Sequence, residues 1–89
     1  MPVSIQDLSF NARGACALAS RFALENNLDI DFLPRSHRVV AFKVELWPLN
    51  FVELLVRKIT EKLKDGEITY DQRVNELIIK TKPNIKLVA

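Results

Sequence analysis

Residues 38–46 constrain this chain most, because their side chains alternate without a break. Val40, Phe42, Val44 and Leu46 fall on one side, and Val39, Ala41, Lys43 and Glu45 on the other. Successive side chains of a strand point to opposite faces. A wholly apolar side opposite a mixed one therefore predicts a sheet covered by helices on one face.

The segment before it reads as a helix from about Ile5 to Asn26. Ser4 stands as N-cap with Asp7 three residues on, and Val3 and Leu8 occupy the staple positions. Ile5, Leu8, Ala12, Ala15, Ala19 and Phe22 follow a three-four spacing and form one stripe, small at its centre. Phe10, Ala17 and Leu24 repeat every seven residues on the opposite side, where a surface helix should be polar. Either this helix is sandwiched within the fold, or its second face meets another chain.

Leu28, Ile30 and Phe32 alternate with Asp29 and Asp31, which predicts a short strand that Pro34 breaks. Beyond Trp47-Pro48, a second helix is expected from about Phe51 to Lys64. Asn50 is its N-cap, Gly66 stops it, and Val52, Leu55, Val56, Ile59 and Leu63 form its buried face. Glu53 and Arg57 are placed as an i,i+4 pair. A third helix over about 70–80 is expected from Thr69 as cap, Gln72 as capping-box partner, and the spacing of Tyr70, Val74, Leu77 and Ile78. After Pro83, Ile85 to Val88 read as a final edge strand, with Lys82 and Lys86 discouraging further pairing.

Residues 1–89 thus form a single α+β domain of order α-β-β-α-α-β. A three-stranded, mainly antiparallel sheet packs against three helices, two of them in a hairpin at 51–80. No internal repeat, low-complexity tract or domain linker is evident. A hydrophobic content of 48% with only two glycines is globular composition.

Charge and cysteine usage narrow the function classes. Thirteen basic against 11 acidic residues leave +2, too little to imply a polyanionic partner alone. Cys16 is the sole cysteine, so neither an internal disulfide nor a thiolate zinc site can be built, and a cytoplasmic location is expected. No apolar run reaches the roughly 18–20 residues that span a bilayer, so no membrane partner is expected. Residues 1–24 carry Arg13, Arg21 and three serines with Asp7 as sole acid, which is transit-peptide chemistry. The helix punctuation at Ser4 favours an integral first helix instead.

Candidate chemistry is sparse. Aligning Gly66 with the sixth position of a calcium loop puts Leu63 at a ligand position and Gln72 where a bidentate glutamate belongs, so calcium is rejected. A DNA-reading hairpin would present Gln72, Arg73, Asn75 and Lys80, but Asp71 and Glu76 on the same segment would repel phosphates. Cys16 and His37 are unique members of their types, yet nothing basic is placed to activate the thiol. Asp29 and Asp31 lack the third ligand of a metal site, and no glycine-rich phosphate loop exists. No enzyme, cofactor or metal is expected.

Two readings remain. The first is a non-enzymatic protein-interaction or assembly module, a regulatory homodimer whose contact patch is Phe10, Ala17 and Leu24 with Trp47 as an added anchor. For Trp47 a plug at the end of the core is an equal alternative. The second is a nucleic-acid-binding protein using Arg35, His37 and Arg38 at a hairpin tip, Lys43 on the adjoining strand, and the C-terminal lysines. No aromatic is interleaved with that tip as base stacking would require.

Overall fold

A computed structural model of the chain describes residues 5–63 and 66–81. A 3-10 turn at Ile5–Asp7 leads into α1 (Phe10–Glu25), then β1 (Phe32–Ser36), β2 (Val39–Lys43), α2 (Leu49–Lys62), β3 (Gly66–Asp71) and β4 (Glu76–Thr81). The strands form one four-stranded sheet in the order β1-β2-β4-β3, and every neighbouring pair is antiparallel.

This corrects the sequence expectation of three strands and three helices. The third helix does not exist: residues 66–81 are the β3–β4 hairpin. Ile68 and Tyr70 pair with Ile79 and Leu77 on the inner face, while Glu67, Thr69 and Asp71 face outward. That period of two overrides the three-four spacing of Tyr70, Val74, Leu77 and Ile78, and Val74 is an exposed turn residue. The turn is closed locally, with the Asp71 carboxylate accepting from Arg73 N at 3.1 Å and from its Nε at 3.2 Å. Asn75 takes a left-handed φ of 53°, which asparagine tolerates. With the helix hairpin gone, the calcium-loop and DNA-reading geometries have no scaffold.

The other boundaries shift as well. α1 starts five residues later than expected because Ser9 is its cap, its Oγ accepting from Ala12 N at 3.2 Å. Ser4 and Val3 lie outside the described residues, as does the expected edge strand over Ile85–Val88. The helix ends where Asn26 turns its Nδ2 back to Phe22 O at 2.9 Å and Asn27 adopts φ 56°. Pro34 lies inside β1 rather than ending it. That is tolerated because β1 is an edge strand, and the register shifts just beyond it, between Pro34 and Ser36. α2 is capped by Pro48 instead of Asn50, and no ion pair joins Glu53 to Arg57.

Both helices cover the same face of the sheet. Ala12, Ala15, Ala19 and Phe22 of α1 and Val52, Leu55 and Ile59 of α2 join Val40, Phe42, Leu77 and Ile79 in one core. Phe22 packs on Trp47 and Phe51 with ring centroids 6.1 Å apart in each pair. The end of α1 therefore lies against the start of α2, and the helices run antiparallel. The outer sheet face carries Leu33, Val39, Ala41 and Ile78 among charged residues.

The element order is an α-β-β unit used twice. β2 and β4, the second strand of each unit, meet at the sheet centre, with Ala41 opposite Ile78 in the middle of their register. The spacing from Ala41 to Ile78 also carries Glu25 onto Lys62, the last residues of the two helices. It further carries Val40 onto Leu77 and Phe42 onto Ile79, all four buried. The repetition lies in backbone and burial, not in residue identity, which is why no repeat is visible in the sequence.

Candidate functional site

The outer surface of α1 is the most unusual feature. The helix buries Ala12, Ala15, Cys16, Ala19, Phe22 and Ala23, so the opposite face points to solvent. There Phe10 is 81% exposed and Leu24 80% exposed, with exposed Ala17 between them. Among the described residues, nothing sandwiches that face. Two large apolar side chains two turns from a shared small residue leave apolar area in water that a monomer gains nothing by showing.

Phe10 also rims a groove of about 300 Å³ between the start of α1 and the end of α2. Gly14, Ala15 and Leu18 line it from α1, and Ile59, Lys62 and Leu63 from α2. Gly14 presents no side chain to it, and a Cβ built there would meet no atom within 4 Å.

Trp47 is core rather than an interface anchor. It is buried between Phe22 and Phe42, and its Nε1 donates to Asp29 O at 2.9 Å. An exposed apolar residue that periodicity misassigned is Leu46, 88% exposed although its parity placed it inward. β2 ends at Lys43, so the alternation beyond it is not that of a strand.

The basic residues do not form one cluster. Arg35 reaches across β2 to Glu76 on β4, Nη2 to Oε1 at 2.9 Å, and the Glu76 side chain is nearly buried. That pairing offsets part of the Arg35 charge and turns its Nη2 away from the tip, although the side chain stays about half exposed. The His37 ring Nδ1 donates to Asp7 O at 2.6 Å, and Ser9 N donates to His37 O at 2.7 Å, so the hairpin tip is clamped to the start of α1. Arg38 remains exposed at the tip, and its carbonyl accepts from Thr81 N and Oγ1. Lys43 stands at the far end of β2. Asp29 and Asp31 are both exposed.

Cys16 faces the sheet and is buried, and burial pushes its thiol up to about 11 from an ordinary 9.0. At pH 8 it is expected to alkylate at least about 100-fold slower than a free cysteine, measured as iodoacetamide incorporation. Labelling at the free rate would place it at the surface instead. The sign for stability follows from the same burial. The fold binds the thiol proton more tightly than the unfolded chain, so stability is intact below about 9 and declines as pH rises towards about 11.

Among the described residues, no helix is long and apolar enough to cross a membrane. No protein-family model, curated protein or solved structure matches this chain. The functional reading therefore rests on the geometry of the α1 face.

Proposed function

We propose that the chain is a non-enzymatic assembly module that self-associates through the outer face of α1. The observation that carries this is the joint exposure of Phe10 and Leu24 on one face with Ala17 between them. Apolar side chains gain free energy on leaving water, and a small residue between them lets a partner helix approach closely. The groove beside Phe10 extends the same surface onto α2. The nucleic-acid reading draws no comparable support, because Arg35 is paired and Lys43 stands apart from the tip.

Phe10→Asp tests this, since a residue so exposed contributes little to folding. Light scattering should show an oligomer for the native chain and a monomer for the variant, with far-ultraviolet circular dichroism unchanged. Equal masses for the two would remove Phe10 from the contact. A native chain that stays monomeric up to millimolar concentration would sink self-association itself.

A further inference from the structure

We propose that the outer edge of β3 takes an extended segment of a partner protein as an added antiparallel strand, with a basic residue opposite Glu67. This goes beyond the α1 reading, because it concerns a different surface. The direction of each backbone group follows from two bonds across the central seam. Val44 N donates to Asn75 O at 2.8 Å, and Thr81 N donates to Arg38 O at 2.9 Å. Odd-numbered residues along β4 therefore turn their backbone groups towards β2, and even-numbered ones towards β3. In β3 the bonds to β4 then fall at Glu67, Thr69 and Asp71. The N–H and C=O groups of Gly66, Ile68 and Tyr70 point away from the sheet. Among the described residues, none of these groups has a partner.

The opposite edge is built differently. The same alternation turns Phe32 and Pro34 of β1 outward, and a proline has no N–H to offer. The register shift between Pro34 and Ser36 interrupts that edge again. β3 runs six residues without a proline or a shift in its pairing. One edge is blunted and the other is left as a template for strand addition.

The side chains define the occupant. Residues of an added strand opposite Gly66, Ile68 and Tyr70 stand on the helix-covered side, beside the half-buried Ile68 and Tyr70, so these positions take apolar residues. The residues between them stand on the outer side, opposite Glu67 and Thr69. Glu67 is exposed, and among the described residues it has no ion-pair partner. In an antiparallel pair it belongs to a non-hydrogen-bonded couple, whose side chains lie closest, and a lysine or arginine is favoured there. A second copy of β3 fits less well. A two-fold centred on Glu67 sets that residue against itself. Centred on Ile68 it sets Glu67 diagonal to the second copy's Asp71, and centred on Thr69 directly opposite it. Like charges oppose each of these registers, and the exposed Arg73 beside Asp71 offsets this only in part.

Hydrogen exchange followed by nuclear magnetic resonance reads the edge directly. In the free chain the Thr69 amide should exchange slowly, and those of Ile68 and Tyr70 at close to the open-chain rate. The probe is a capped peptide of about nine residues that alternates valine with lysine or threonine. It should bind with a dissociation constant on the order of 100 µM and slow exchange at Ile68 and Tyr70 at least about tenfold. Methylating the backbone nitrogens of its valines should abolish binding, and methylating those between should not, because only the first set faces β3. Ile68→Pro removes the central outward donor and should weaken binding at least about tenfold, whereas Ile68→Ala keeps the donor and should cost no more than about threefold. Should Ile68→Pro fail to fold, the two methylated peptides carry the test. A probe that does not bind at millimolar concentration overturns the proposal, as does binding that leaves exchange at Ile68 and Tyr70 unchanged. Protection of both amides in the free chain also overturns it. Protection that rises with protein concentration would make the occupant a second copy, and protection that does not would mean that the chain covers its own edge. Phe10→Asp should leave peptide binding within about twofold of the native chain, so failure here and failure of the α1 reading are told apart.

Discussion

Trp47→Ala is expected to leave the chain close to half unfolded or worse at 25 °C. Trp47 closes one end of the core, stacked on Phe22 with centroids 6.1 Å apart and tilted against Phe42 at the same distance. Truncating a buried aromatic of this kind costs about 3–5 kcal/mol, against a total of about 5–15 kcal/mol for domains in general, of which a thin core supplies the low end. Trp47 also holds the segment between α1 and β1 through its bond to Asp29 O. Trp47→Phe separates these contributions: it keeps a ring in the core and loses the bond, for about 1–2 kcal/mol. Urea unfolding followed by circular dichroism reads both variants. A Trp47→Ala loss below about 1 kcal/mol would mean the indole is not structural.

Gly66→Ala is the second large effect. Gly66 has an ordinary negative φ, so conformational freedom is not what selects it. A Cβ there would lie 2.7 Å from the Lys80 carbonyl oxygen and 2.7 Å from Leu63 Cδ2. The leucine can turn aside, but the carbonyl belongs to the partner strand and moves only with the backbone. The expected loss is about 1–3 kcal/mol, read as a lower urea midpoint with fraying of β3. Gly14→Ala should do the opposite and add up to about 1 kcal/mol, because its Cβ meets nothing and alanine favours the helix. Equal losses at the two glycines would contradict the geometry at Gly66.

What could be read from the residues divides along the strength of their periodicity. The inward set Val40, Phe42 and Val44 and the helical set Val52, Leu55 and Ile59 are buried as their spacing requires. The helix expected over about 70–80 rests on Tyr70, Val74, Leu77 and Ile78, which satisfy a helical spacing by coincidence, since this stretch lies in β3, its turn and β4. The β-branched and aromatic content of Ile68-Thr69-Tyr70 and Ile78-Ile79 was the better signal. Their turn lacks the glycine that usually marks a hairpin. Of the candidate site, Phe10, Ala17 and Leu24 were legible because apolar residues at seven-residue spacing on a solvent face are conspicuous in one helix. The Arg35–Glu76 pair was not legible, since only the β1-β2-β4 order brings together residues 41 apart in sequence.

The doubled α-β-β order has a consequence for the route by which the chain folds. Each half pairs its own strands across a short turn, β1 with β2 and β3 with β4. Hairpins of this kind form in roughly microseconds. Only the β2–β4 seam joins strands from different halves, linking residues 39–43 to residues 76–80. That contact must close a loop containing α2, β3 and the turn after it before the buried faces of the halves reward it, so its entropy cost comes first. The kinetic bottleneck of this small protein is therefore the docking of two similar halves rather than the formation of either one.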